Sequence, residues 1–279
     1  MPELPEVEAV KDVLNQQLKG LIIKEVDVRY EPMIKNMSAD AFISLLTNKT
    51  IESLSRRGKY LIFHLNEGYL VSHLRMEGKY FYTDLDFELN PHIHSIFKLD
   101  NEKQLLYQDV RKFGTFHYYE NEEALKDAAP FQVLGVEPFS SEFNFEYVSQ
   151  KLKNKKKPIK TLLLDQSVVA GLGNIYVDEV LFLAKINPQK SSQQLTDEEI
   201  KNVIKYTKEV LQKAVALKGT TIRSYTSALG VVGGYQNELL VHMKKDEPCV
   251  NCQTPIAKIK VGGRGTYYCP VCQPDVLEG

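Results

Sequence analysis

The sequence predicts an α+β protein of two domains. A helix leads into an antiparallel β-sandwich or barrel, and a helical domain follows, ending in a short cysteine-bearing hairpin. Three observations predict this. Residues 21–119 run as short alternating or apolar segments between polar turns, the pattern of an antiparallel sandwich or barrel. From residue 159 to about 217 the apolar period becomes helical. All four cysteines then fall in the tail, residues 245–279.

Residues 3–19 read as a helix because Val7, Val10, Leu14 and Leu18 recur at three- and four-residue spacing. Pro5 suits a first turn, where its missing N–H costs nothing. Glu6 and Glu8 suit the positive end of the helix dipole, and Gly20 is placed to close the far end. Pro2 lies ahead of the helix and has no such explanation. The strand segments are 21–30, 59–65, 69–75, 94–99, 104–110 and 114–119, with turns such as Asn66-Glu67-Gly68 and Asp100-Asn101-Glu102 between them. These make a first domain of residues 1–131. Periodicity lapses over 132–148, a linker. A second domain, 149–235, holds helices over 159–166, 174–186 and about 197–217. Thr196 is the expected N-cap of the last, with Glu199 completing a capping box. Residues 219–235, rich in Gly, Ser and Thr, read as a mobile loop.

With 279 residues, 43% hydrophobic and 25% charged, the chain has the composition of a soluble globular protein. No apolar run approaches the ~18 residues of a membrane span. The start lacks a secretory apolar region, so a cytoplasmic location is expected. Charge is divided unevenly. Residues 1–150 hold 16 of the 35 Lys and Arg and 24 of the 36 Asp and Glu, a balance of −8; the remainder holds 19 and 12, a balance of +7. Such asymmetry points to a polyanion partner for the second half.

The cysteines stand as Cys249-x2-Cys252 and, after 16 residues, Cys269-x2-Cys272, a spacing that predicts zinc. Four thiolates make a closed tetrahedral site, so the one zinc ion expected is structural and the chemistry lies elsewhere. A tail this short has too little core to fold alone. Between the pairs, "KIKVGGRGTYYC" reads as a hairpin with its tip at 262–265, from which Arg264 projects to enter a groove or grip phosphate. Upstream, "KLKNKKKPIK" (151–160) precedes Gly171-Leu172-Gly173-Asn174, a glycine turn opening a helix with Asn174 at the expected cap. Backbone amides at such a start suit an anion. With Lys155, Lys156 and Lys160 nearby, the region is expected to grip a DNA backbone.

If Met1 is removed, Pro2 becomes a secondary amine at the chain start. An α-amino group titrates near ~8 and a lysine near ~10.4, so at pH ~7.5 roughly a third of the former is unprotonated against ~0.1% of the latter. A free amine attacks electrophilic carbon. A secondary amine then forms an iminium that stays cationic, an electron sink for elimination. Glu3 beside it is a candidate general acid/base.

"PELPEVE" (2–8), "RRGKYLIFHL" (56–65), "HLRMEG" (73–78), "DVRKFGTF" (109–116), "GLGNIYVDE" (171–179) and the four-cysteine tail together resemble bacterial formamidopyrimidine-DNA glycosylase, in family order along essentially the whole chain. The resemblance implies a β-sandwich domain, a helix–two-turn–helix domain and a zinc finger, with duplex DNA bound across a cleft by a monomer. It implies excision of 8-oxoguanine and formamidopyrimidines, then strand cleavage by β,δ-elimination. On the matching motifs, Pro2 attacks C1′ to form a Schiff base, Glu3 donates a proton at the sugar, Lys59 assists β-elimination and Arg264 assists δ-elimination. His92, Arg111 and Lys155 contact DNA, with Asn174 on a phosphate. Because the base must leave the stack, Met76, Arg111 and Phe113 match the residues that fill the gap, and the loop around Thr220–Tyr225 closes over the extruded base.

Two readings compete. An endonuclease VIII-like enzyme removes oxidised pyrimidines with the same amine, although "PELPE" and the Met76, Arg111 and Phe113 set favour the purine enzyme. A non-catalytic, zinc-bearing DNA-binding protein would show no dependence on a free Pro2 amine.

Overall fold

A computed structural model describes residues 2–153, 155–220 and 232–275. Two compact units emerge. The first comprises the described residues of Met1–Gln132 and Lys218–Gly234, the second those of Val133–Leu217 and Tyr235–Gly279.

The first unit opens with α1 (Leu4–Leu18), followed by β1 (Ile23–Val28) and α2 (Ala39–Leu46). Next come β2 (Ile51–Arg57), β3 (Tyr60–Leu65), β4 (Tyr69–His73), β5 (Lys79–Asp84), β6 (Ile93–Leu99), β7 (Lys103–Gln108) and β8 (Thr115–Tyr119). Short helices α3 (Glu122–Lys126) and α4 (Ala129–Gln132) close it. The strands form two antiparallel sheets, ordered β1-β6-β7-β5 and β2-β3-β4-β8. Aromatic rings bridge them: Phe63 with Tyr80 at 5.9 Å, and Phe116 with Phe97 at 5.9 Å and Tyr107 at 5.0 Å. This is the expected sandwich. α1 lays Val7, Val10, Leu14 and Leu18 into the same core. β2, β5 and α2 are additional to the predicted elements. "IESLSRR" and "KYFYTD" are too polar to alternate cleanly, and pairing with a buried neighbour strand holds each in place.

In the second unit the interval 132–148, where no period is visible, contains the start of α5 (Phe145–Lys153). After it come α6 (Ile159–Leu163), α7 (Asn174–Leu183) and α8 (Asp197–Ala216), then the hairpin β9 (Ala257–Val261) and β10 (Arg264–Tyr268). The capping box at Thr196 and Glu199 forms as expected: Thr196 Oγ1 accepts from the Glu199 amide at 3.2 Å, and the Glu199 carboxylate accepts from the Thr196 amide at 2.8 Å. α7 is buried continuously from Tyr176 to Phe182, so its acidic pair Asp178-Glu179 lies inside the protein. No helix among the described residues is long and apolar enough to cross a membrane.

Candidate catalytic and nucleic-acid-binding site

In the first unit, strand register gathers the turns that carry Lys59, Met76, Arg111 and Phe113 at one end of a sheet. Tyr60 pairs with His73, and His73 with Thr115. The β2–β3 turn, the β4–β5 turn and the β7–β8 loop therefore leave the second sheet together. Lys59 sits in the first of these, a two-residue turn with Gly58 at φ +58°, and is buried. Glycine at the first central position is what such a hairpin turn requires. The turn is tied to α1. Glu8 accepts a bond from Arg56 Nε at 2.6 Å, and Arg56 Nη1 donates to the Gly58 carbonyl at 2.8 Å. Burial works to raise the Glu8 pKa, but bonds from Lys11 and Arg56 hold it below the usual carboxylate range.

Pro2 and Glu3 are both buried at the start of α1. Glu3 and Glu6 form a capping box, in which Glu6 Oε2 accepts from the Glu3 amide at 2.8 Å. The other Glu6 oxygen accepts from Thr220, from its amide at 2.7 Å and its hydroxyl at 3.0 Å. One carboxylate thus holds the backbone beside Pro2 and one base of the 219–235 segment. Residues 221–225 of the expected base-capping loop lie outside the described residues.

The β4–β5 turn carries Met76, half-buried, beside Arg75 at φ +53°. The β7–β8 loop carries Arg111 and Phe113, both exposed, with the guanidinium 4.7 Å from the ring centroid. Asp109, 1% exposed, organises that loop: its carboxylate accepts the amides of Arg111 at 3.0 Å, Phe113 at 2.9 Å and Gly114 at 2.7 Å. The Asp109 amide donates in turn to the carbonyl of exposed His92 at 3.0 Å. The Tyr107 hydroxyl locks the two loops together, because a Cβ on Gly114 would stand 1.7 Å from it and one on Gly78 would stand 2.3 Å from it. Asp109, Tyr107 and Glu6 had no signal as site residues beyond lying in or beside the quoted motifs.

His73 is a further residue that the sequence did not single out. Burial first, then the charges of Arg75, Lys59 and His117, push its pKa down to about 3. Its Nδ1 accepts the Arg75 amide at 2.9 Å, which fits a neutral ring. In the unfolded chain this histidine protonates near ~6.5. Its contribution to stability is therefore complete above that pH and is lost as pH falls from about 6.5 toward 3, by on the order of a few kcal/mol. His73→Gln is expected to flatten the pH dependence of the urea midpoint across this window. Equal slopes in the two proteins would contradict the assignment.

In the second unit, Asn174 is not the N-cap. Gly173 takes that place, and Asn174, the first helical residue, donates from Nδ2 to the Gly265 carbonyl at 3.0 Å. A hairpin carbonyl within reach competes successfully for the side-chain amide. Arg264 is exposed but lies outside the turn itself. Gly262 and Gly263, at φ +55° and +79°, make the turn, and Arg264 opens β10 opposite Val261. Two successive positive φ values suit glycine, and the arginine follows them into the strand. Lys155 is half-buried and Lys156 exposed, but Lys160 is fully buried, so it cannot grip phosphate as expected. Gln166 shapes the glycine turn: Oε1 accepts the Gly171 amide at 2.9 Å and Nε2 donates to the Leu172 carbonyl at 2.8 Å.

The four cysteines converge. Their sulfurs all lie within 4.8 Å of one another, with Cys249–Cys272 at 3.8 Å and Cys252–Cys269 at 3.4 Å. A tetrahedron with metal–sulfur bonds of about 2.3 Å has edges near ~3.8 Å, so the four thiols fit one zinc ion. Gln273 ties this knuckle to the segment after α7, accepting the Cys269 amide at 2.9 Å and donating to the Ile186 carbonyl at 2.9 Å.

The formamidopyrimidine-DNA glycosylase N-terminal domain matches residues 1–116, the H2TH domain of that glycosylase residues 134–226, and the zinc finger found in FPG and IleRS residues 246–274. The formamidopyrimidine-DNA glycosylase of Bacillus licheniformis is 47% identical over 98% of this chain and 99% of its own length. Two solved Lactococcus lactis structures superpose on 98% of this chain and 100% of their own. One, a mutant in complex with Fapy-dG-containing DNA, has TM-score 0.92 and 44% identity. The other, bound to DNA with an abasic site, has TM-score 0.91 and 45% identity.

Proposed function

The chain belongs to the formamidopyrimidine-DNA glycosylase family, and from that premise we propose that it excises oxidised purines from duplex DNA and then cleaves the strand through an imine on Pro2. The observation that carries this reading is the tie between α1 and the Lys59 turn. The helix that begins at the nucleophile bonds Arg56, which bonds the carbonyl next to Lys59. An amine and a second nitrogen base so arranged suit attack on a sugar carbon followed by elimination.

Once Met1 is removed, the Pro2 nitrogen attacks C1′ and the oxidised base departs with the electron pair of its bond and gains a proton. The sugar opens as Glu3 donates a proton, leaving an iminium between Pro2 and C1′. The cation draws electrons from C2′, whose proton leaves while the 3′ phosphate departs with the C3′–O pair; Lys59 assists. Loss of the C4′ proton then expels the 5′ phosphate, whose charge Arg264 neutralises. Water adds to C1′ and returns the free amine. Met76 and the Arg111–Phe113 pair fill the vacated stack, His92, Lys155 and Asn174 hold the backbone, and the segment after Thr220 covers the base. The same reading takes the protein to act as a monomer in the cytoplasm, where duplex DNA is found.

Borohydride trapping tests it. A duplex bearing 8-oxoguanine opposite cytosine is expected to yield a covalent adduct whose peptide mass places the sugar on Pro2. Pro2→Gly combined with Lys59→Ala is expected to reduce the adduct by about 10²-fold or more. No adduct from the intact protein, or an undiminished one from the variant, would overturn the proposal. A strong preference for thymine glycol would favour the pyrimidine enzyme.

A further inference from the structure

Lys160 and Asp178 form an ion pair of 2.6 Å with both side chains fully buried, and no step above uses them. Burying two charges costs free energy that their mutual attraction repays only when the remaining valences are also satisfied. Here the finger hairpin meets several of those valences. Lys160 Nζ donates to the Gly265 carbonyl at 3.1 Å, alongside the Asn174 amide at 3.0 Å. Asp178 Oδ2 accepts the Tyr267 amide at 3.3 Å and lies 2.7 Å from His242 Nδ1. The turn rests on the same short helix, since a Cβ on Gly262 would stand 2.6 Å from Thr161 Oγ1. Thr266, buried, donates its hydroxyl to the Arg264 carbonyl at 3.0 Å. Both sides of Arg264 are thereby held, while its own side chain is exposed.

We propose that Lys160 and Asp178 are positioning residues that aim the Arg264 guanidinium at the departing 5′ phosphate. A neutral donor would hold the Gly265 carbonyl less firmly, because bonds from a charged group are roughly twice as strong. The pair braces the hairpin from α6 and α7, two helices outside the finger. It therefore governs the second elimination and leaves the first, and the attack by Pro2, untouched. This inference rests on the role proposed for Arg264.

The test compares the full-length Lys160→Met/Asp178→Asn double variant with Arg264→Ala on an abasic-site duplex. The double variant removes both charges, so neither is stranded. Zinc content, borohydride trapping and the ratio of β to β,δ products are measured together. The double variant is expected to keep one zinc per chain and trap at the normal rate, while its β to β,δ ratio rises about ten-fold or more, as it does for Arg264→Ala. A shifted ratio in Arg264→Ala beside an unchanged one in the double variant overturns the positioning role. Loss of zinc from the double variant also overturns it, since the pair then carries the fold of the finger. An unchanged ratio in Arg264→Ala removes the premise itself, with Pro2 trapping still intact.

Discussion

Stripping the metal with a chelator is expected to unfold the four-cysteine tail and to weaken binding to lesion-bearing duplex by about ten- to a hundred-fold, the worth of one or two lost charge-assisted bonds. The tail's own core is small: Cys249, Cys269 and Ile256 pack with Val241 and with Phe182 of α7. So few buried groups cannot offset the entropy of ordering the hairpin, whereas structural zinc supplies about 10–16 kcal/mol in finger peptides. Without the metal, Arg264 loses the β9–β10 frame that presents it, and Lys258 and Lys260 lose it too. Readding zinc is expected to restore binding. Metal analysis with salt-matched binding curves decides the matter, and full affinity after confirmed zinc loss would show that the finger does not touch DNA.

Gly114→Ala is expected to lower excision by about 10²-fold, the cost that a misplacement of about 1 Å can carry even when it arises away from the reacting atoms. The new methyl would lie 1.7 Å from the Tyr107 hydroxyl and 3.2 Å from Asp109 Oδ2. Tyr107 is 1% exposed and packed against Tyr80 and Phe116, so the loop must move in its place. That loop presents Arg111 and Phe113. Tyr107→Phe removes the clashing oxygen, so the double variant is expected to regain part of the lost rate. The cycle of single and double variants measures this coupling. Independent effects of the two substitutions would show that the hydroxyl does not set the loop.

The parts legible in the sequence are those whose partners lie close along the chain. The Thr196 and Glu199 box spans three residues, and each cysteine pair spans the same distance. β2 and β5 were hidden because their side chains mix polar and apolar residues, and only a neighbouring strand supplies the order. Asp109 opens a recognisable motif, yet its three amide bonds form only when the loop folds around it. Lys160 misled, because a lysine in a basic run reads as solvated surface, whereas Asp178, eighteen residues away, draws it inside.

The sequence by itself determined the α+β class and the metal site, and it raised the amine chemistry proposed for Pro2. Helical and strand periods, ligand spacing and amine basicity are properties of residues within a few positions of one another. Only the tertiary structure decided which charges are buried, which loops Tyr107 couples and where Arg264 is held. Those outcomes depend on distances between segments far apart in the chain, and a carboxylate or an ammonium changes its role when water is replaced by a fixed partner.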